Sequence, residues 1–284
     1  MESEGQGFLL ERRDQIAYII FNRPEKLNAF RQKDYELFEE MVNEIEVDDS
    51  VRAVIVTGKG RGFTAGDDLY EMPPHLYPYL FTENPAEQDP IEYLLWWSQY
   101  LPYHIIVKTI QTIMDSGKVY IAAVNGVCYQ TELLYPLDFV IAADVATFAQ
   151  GDVSRMGIVP AAGSTQTLPR VLGRRRAIEL MLTGDEISAQ EAYRIGLVNK
   201  VVPLDKLMEE AEALARKVSR YPQHAIKLTK MAITKAQDLP LKQGLEIEGY
   251  YSRISHTRAH YTNFSKTFLA ERKAAKEKKD KNKS

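Results

Sequence analysis

Two apolar runs with an amphipathic helix between them constrain the fold of this chain most. Residues 8–21 read as two short strands around Arg13-Asp14-Gln15, the second being Ile16-Ala17-Tyr18-Ile19-Ile20-Phe21, and Asn22-Arg23-Pro24 ends it. Over residues 35–47, Leu37, Phe38, Met41, Val42 and Ile45 form one helical stripe with acids on the other face. Residues 51–57 are a β-branched apolar run closed by Gly58-Lys59-Gly60. Strand, helix, strand in that order is the start of a parallel α/β sheet.

Further along, Val119–Val124 and Phe139–Ala143 read as buried strands, and the pattern predicts a helix over 101–115. Helices are then expected over 174–182 and 188–195, the second stopped by Gly196, followed by a short strand over 197–202. Ser188 and Glu191 have the spacing of a capping box, in which each side chain satisfies the other's free backbone donor. From residue 204 the pattern is helical throughout, broken at Pro222 and Pro240. An α/β core over 1–203 and a helical C-terminal region over 204–284 are therefore expected.

Composition narrows the class. With 36 basic and 39 acidic side chains the formal charge is −3, so no global basic field attracts nucleic acid or anionic lipid. Its 284 residues, 45% of them hydrophobic, suffice for a large globular core. The single cysteine, Cys128, excludes an internal disulfide and a thiolate-based structural zinc site, and no metal is expected. The N-terminus has neither a basic n-region nor an apolar h-region, and no window of about 18 apolar residues occurs. A soluble, cytoplasmic protein is the expectation.

Two biased stretches carry two readings each. Residues 70–103 hold nine aromatic residues, including both tryptophans, interrupted by prolines. They read either as a surface loop pinned by its own aromatics or as the wall of an apolar pocket. The last 19 residues hold eight Lys/Arg and three Asp/Glu, a solvated helix end or a phosphate-binding element.

Three segments have the make-up of a site. Arg61-Gly62-Phe63-Thr64-Ala65-Gly66-Asp67-Asp68-Leu69 follows a predicted strand, where small residues let backbone amides face a ligand. Ala123-Val124-Asn125-Gly126 leads through Val127-Cys128-Tyr129-Gln130-Thr131 to Glu132, a carboxyl beside apolar residues that is either a buried acid or a surface cap. The third segment runs from Phe148-Ala149-Gln150-Gly151-Asp152 to Gly157-Ile158-Val159-Pro160. Neither a dinucleotide glycine fingerprint nor a P-loop occurs.

With Asn22-Arg23-Pro24-Glu25-Lys26-Leu27-Asn28-Ala29, Gly163-Ser164-Thr165-Gln166, Leu182-Thr183-Gly184, Gly196-Leu197-Val198 and Phe268-Leu269-Ala270-Glu271-Arg272-Lys273, these segments resemble, in order, the crotonase (enoyl-CoA hydratase/isomerase) superfamily. The resemblance implies a crotonase (ClpP-like) spiral of ββα units with a helical C-terminal trimerisation region. It implies an acyl-CoA hydratase, dehydratase or isomerase of fatty acid metabolism, a lyase or isomerase working through an enolate held by two backbone N–H groups. Such preorganised donors are worth roughly 3 kcal/mol each in a water-poor site.

By the motif, the first donor is the amide of Asp67, and counting back from Glu132 places the second at Tyr129. The Asp67 carboxylate is a departure, because beside a developing anion it must point away or be neutralised. The expected glycine run before Glu132 is replaced by Cys128-Tyr129-Gln130-Thr131, which makes this a diverged member. Glu132 matches the first catalytic acid; the second falls on Asp152 counted from Phe148, but on Val153 counted back from Gly157. For coenzyme A, carried by the substrate rather than held as a cofactor, the resemblance assigns Lys26 to the phosphates and Phe63 with Ala65 to the adenine. Phe268, Arg272 and Lys273 close the nucleotide from the C-terminal helix, often from a neighbouring subunit of a homotrimer or homohexamer.

Two alternatives stay open. β-Diketone hydrolases resembling 6-oxocamphor hydrolase also lack the glycine run and carry an extra residue before Gly157-Ile158-Val159-Pro160; there His75 or His104 would position water. A catalytically silent crotonase-fold binding protein is the other. Cys128 has no His partner in sequence and is not expected to be a nucleophile.

Overall fold

A computed structural model describes residues 7–71, 101–257 and 259–281. The expected aromatic segment over 70–103, with His75, lies almost wholly outside the described residues.

The main sheet contains β1 (Phe8–Arg13), β2 (Ile16–Phe21), β3 (Ala53–Gly58), β5 (Val119–Val124), β7 (Phe139–Ala143) and β10 (Lys200–Val202) in that spatial order. Only the β1–β2 pair is antiparallel; the other neighbours run parallel. Strands alternate their side chains between faces, and here both faces are dry. Ala17, Ile19 and Phe21 of β2, Val54 and Val56 of β3, and Tyr120, Ala122 and Val124 of β5 enter one core. Ile16 and Tyr18, Ala53 and Ile55, and Val119, Ile121 and Ala123 enter the other.

Helix α1 (Gln32–Val47) covers the first face with Phe38, Met41, Val42 and Ile45, together with Ile106, Ile110 and Ile113 of α2 (Leu101–Asp115). The second face is covered by α6 (Leu207–Ser219), whose Leu207, Ala211, Ala215 and Val218 fall on one helical stripe. This helix lies beyond residue 203, yet it is part of the core's packing. Past it, α7 (Gln223–Ala236), α8 (Leu241–His256) and α9 (Ala259–Lys281) follow Pro222 and Pro240 as the sequence anticipates.

A second, smaller sheet builds the site. Each of three main strands is followed by a short one: β4 (Gly62–Thr64) after β3, β6 (Val127–Cys128) after β5, and β8 (Thr147–Phe148) after β7. These pair in parallel, with β9 (Ile187–Ser188) antiparallel to β8. Successive turns of the chain thereby bring three loops to one end of the small sheet.

Two local expectations are corrected. The strand expected over 197–202 is confined to Lys200–Val202, because Gly196 turns with φ +87° and the N–H groups of Leu197 and Val198 bond the Ala192 carbonyl. Of the capping box at α5 (Ala189–Arg194), half forms: the Glu191 N–H reaches Ser188 Oγ at 3.2 Å. The Glu191 carboxylate turns instead to Arg194.

Candidate active site

The three loops after β4, β6 and β8 close around a cleft of about 210 Å³, lined by Ala65, Gly66, Asp67, Tyr129, Gln130, Glu132 and Asp152 among others. The candidate residues at Asp67, Tyr129, Glu132 and Asp152, read from segments 85 positions apart at the extremes, therefore meet.

Asp67 follows Gly66, whose φ of +97° turns the chain at the end of β4. The N–H of Phe30 bonds the Gly66 carbonyl and the N–H of Asp68 bonds the Phe30 carbonyl, each at 2.8 Å. In such a parallel bridge the amide of the intervening Asp67 is turned away from Phe30. Its carboxylate does not crowd the cleft unaccompanied: the Tyr35 hydroxyl of α1 donates to Oδ1. Buried Arg23 holds the segment by donating to Asp68 at 2.9 Å, Glu71 at 2.7 Å and the Ala29 carbonyl at 2.7 Å.

Glu132 lies in a tight turn, Thr131–Leu134, and is 8% exposed. Among the described residues its Oε2 has no hydrogen-bond partner. Burial, reinforced by the neighbouring charge of Asp152, pushes its carboxyl up to about 8. Asp152 is also raised, chiefly by burial, and countered by a hydrogen bond from Gln150 Nε2 at 2.6 Å. The Gln150 amide acts on both acids, since it also favours ionised Glu132, and Thr131 Oγ1 fixes its other end.

The ambiguity between Asp152 and Val153 has a structural origin. Residues Asp152–Met156 form a single π-turn, in which the Gly157 N–H reaches back to the Asp152 carbonyl. The wider turn absorbs the one extra residue. Asp152 lines the cleft and Val153 does not.

Several expectations are corrected. The Tyr129 N–H donates to the Thr64 carbonyl at 2.9 Å, so it is committed to the small sheet and is not the second oxyanion donor. Tyr129 instead forms cleft wall, its hydroxyl on Glu186 and its ring under the Arg155 guanidinium at 4.7 Å. Phe63 is fully buried, its ring 5.1 Å from that of Phe21, so it cannot stack on an adenine. His104 is exposed on α2 and is not among the cleft-lining residues. Burial raises the Cys128 thiol, as an inert core cysteine requires.

Of the residues assigned to coenzyme A, Ala65 lines the cleft, and its N–H bonds the carbonyl of Leu27, next to exposed Lys26. Phe268, Arg272 and Lys273 are exposed on α9, with Arg272 over the Phe268 ring at 5.9 Å, and none of them lines the cleft. Sequence reasoning missed Tyr35 and the roles of Gln130 and Gln150: Tyr35 and Gln130 are 95 positions apart, and Gln150 joins neighbouring Asp152 to Thr131, 19 positions away.

The Enoyl-CoA hydratase/isomerase family matches residues 11–88 and 98–278 of the chain. It is 34% identical over 259 residues to the 1,2-epoxyphenylacetyl-CoA isomerase of Escherichia coli K12, covering 90% of this chain and 93% of that protein. With the crotonyl-CoA hydratase of Syntrophomonas wolfei it shares 31% identity over 272 residues, 95% of this chain and 97% of the other. The crystal structure of an enoyl-CoA hydratase from Bacillus anthracis superposes with a TM-score of 0.78 at 30% identity, covering 93% of this chain and 97% of that one. The chain belongs to the enoyl-CoA hydratase/isomerase family.

Proposed function

We propose that the chain moves protons at the α-carbon of an acyl-CoA thioester, in the reversible hydration or double-bond shift of an enoyl-CoA. The observation that carries this reading is the buried Glu132, its carboxyl pushed up by burial and its Oε2 without a partner among the described residues, beside Asp152 in one cleft. Two carboxyls driven upward by burial hold a proton between them near neutrality, the condition for one to give a proton while the other takes one. The Asp67 amide would donate to the thioester oxygen as the enolate forms. Lys26 and Ala65 mark the side from which coenzyme A would enter.

Crotonyl-CoA and a cyclic 1,3-diketone separate this reading from carbon–carbon hydrolysis. We expect 3-hydroxybutyryl-CoA from the first, or deuterium incorporation at C2 of butyryl-CoA in heavy water, and no turnover of the diketone. Diketone cleavage without either thioester reaction would overturn the proposal.

The same reading extends to assembly, as a homotrimer or dimer of trimers. Ile233, Leu241, Leu245, Ile254, Phe268 and Leu269 are exposed on α7, α8 and α9, more apolar surface than a lone subunit would leave wet. A neighbouring copy would cover it and would carry Phe268, Arg272 and Lys273 toward a cleft. Leu241→Asp with Leu245→Asp is expected to shift the sedimentation coefficient to that of a monomer and to weaken CoA binding. A monomeric wild type would refute the assembly.

A further inference from the structure

Gln130 stands where the resemblance calls for glycine, and its surroundings give it a task. The side chain is 5% exposed, lines the cleft and leaves Oε1 without a hydrogen-bond partner among the described residues. A buried carbonyl oxygen without a donor is costly, on the order of 1–3 kcal/mol, unless something binds there.

The orientation of this amide is dictated by its neighbours. A tyrosine hydroxyl has one proton, and that of Tyr35 goes to the Asp67 carboxylate. The remaining lone pair must therefore accept, and Gln130 Nε2 donates to it at 2.6 Å. Turning the amide over would set Oε1 against that lone pair, so the chain Gln130–Tyr35–Asp67 holds Oε1 as the acceptor left over. Glu132 Oε2 is likewise buried in the same cleft and likewise unpartnered. Gln130 Oε1 can only accept, whereas the carboxyl of a neutral Glu132 carries a proton to give, so the two are matched by a small group that both donates and accepts, which is water.

We infer that Gln130 Oε1 orients the water that adds to the enoyl substrate, and equally the β-hydroxyl of the hydrated product. Tyr35 acts through it as a positioning residue. In the step so assisted, the water oxygen bonds to Cβ and its proton passes to the ionised member of the Glu132/Asp152 pair. The former π electrons take the proton of the other member at Cα, so the pair ends with the one proton it began with. This inference rests on the acyl-thioester reading above.

Two reactions in one enzyme test it: hydration of crotonyl-CoA, which consumes water, and deuterium exchange at C2 of butyryl-CoA, which does not. In Gln130→Met the ratio of hydration to exchange should fall roughly 30-fold or more, the equivalent of one lost hydrogen bond to the reacting group. Tyr35→Phe should move the ratio in the same direction by less, since Gln130 remains but is no longer held. The exchange rate of each variant also reports that its site is folded. A ratio within about threefold of wild type, or hydration and exchange falling together as for a merely structural contact, overturns the inference. Wild-type exchange without hydration overturns it too, whereas failure of both reactions in the wild type overturns the thioester reading instead.

Discussion

Glu132→Gln is expected to lower turnover of an enoyl-CoA by about a thousandfold, the range for removal of a positioned acid or base. The same substitution should make stability less sensitive to pH. In the folded chain the Glu132 carboxyl is pushed up to about 8 from its ordinary 4.5. Its folded form binds the proton more tightly than the unfolded chain, so this carboxyl's contribution to stability is fully present below pH 4.5 and is lost as pH rises through 8. The loss levels off above pH 8 at about 5 kcal/mol, and about 3 kcal/mol is already spent at pH 7. Glutamine does not titrate. The unfolding free energy of the variant relative to wild type should therefore climb by that amount between pH 4.5 and pH 8 and above. Denaturant melts of both proteins across this range check it. A difference that stays flat with pH would show that Glu132 is not buried as a neutral acid, and full turnover in the variant would remove it from the chemistry.

Why Glu132 was legible in sequence, and its support was not, follows from how each is encoded. The main sheet declares itself through continuous apolar runs, because every position of β3 and β5 faces one of two cores, apart from the half-buried terminal Gly58 and the Thr57 hydroxyl on the Ala123 carbonyl. The C-terminal helices are punctuated by Pro222 and Pro240. Glu132 and Asp152 each follow a short strand, but the local pattern leaves Glu132 open between buried acid and surface cap, and it is the ordered set of motifs that singles the two out. Gln130 and Tyr35 are 95 positions apart, and the Thr131–Gln150 pair 19, distances at which residue order alone says nothing of contact. Tyr129 shows the opposite failure: its position relative to Glu132 is right for a donor, but its amide is taken up by the Thr64 carbonyl at the end of β4. Phe63 is alike, in a motif position yet with its ring among Phe21 and the other core aromatics. The uncertainty between Asp152 and Val153 is a counting problem that only a π-turn resolves.

Gly126→Ala is expected to destabilise the fold strongly. Gly126 links the end of β5 to β6, and a Cβ there would stand 1.9 Å from the Arg61 carbonyl oxygen and 2.7 Å from its carbon. That obstacle is main chain in the turn between β3 and β4, and it cannot retreat freely. Asn125 Nδ2 grips the turn through the Gly60 and Gly62 carbonyls at 2.9 and 3.1 Å, and Asn28 Nδ2 through Lys59 and Gly62 at 3.0 and 2.7 Å. Either these hydrogen bonds break or the β4–β6 pairing opens, at a cost on the order of 4 kcal/mol. Gly244 in α8 provides the contrast, with nothing among the described residues within 4 Å of an added Cβ; Gly244→Ala should be stabilising by about 0.5–1 kcal/mol through helix propensity. Urea midpoints of the two variants make the comparison direct. Because the turn after β4 carries Asp67 and the turn after β6 carries Glu132, spreading them also moves the amide away from the acid. Refolded Gly126→Ala should therefore remain inactive at low temperature, where Gly244→Ala is fully active. Stability within 1 kcal/mol of wild type, with activity retained, would mean that the close approach of these two turns is not what aligns the cleft.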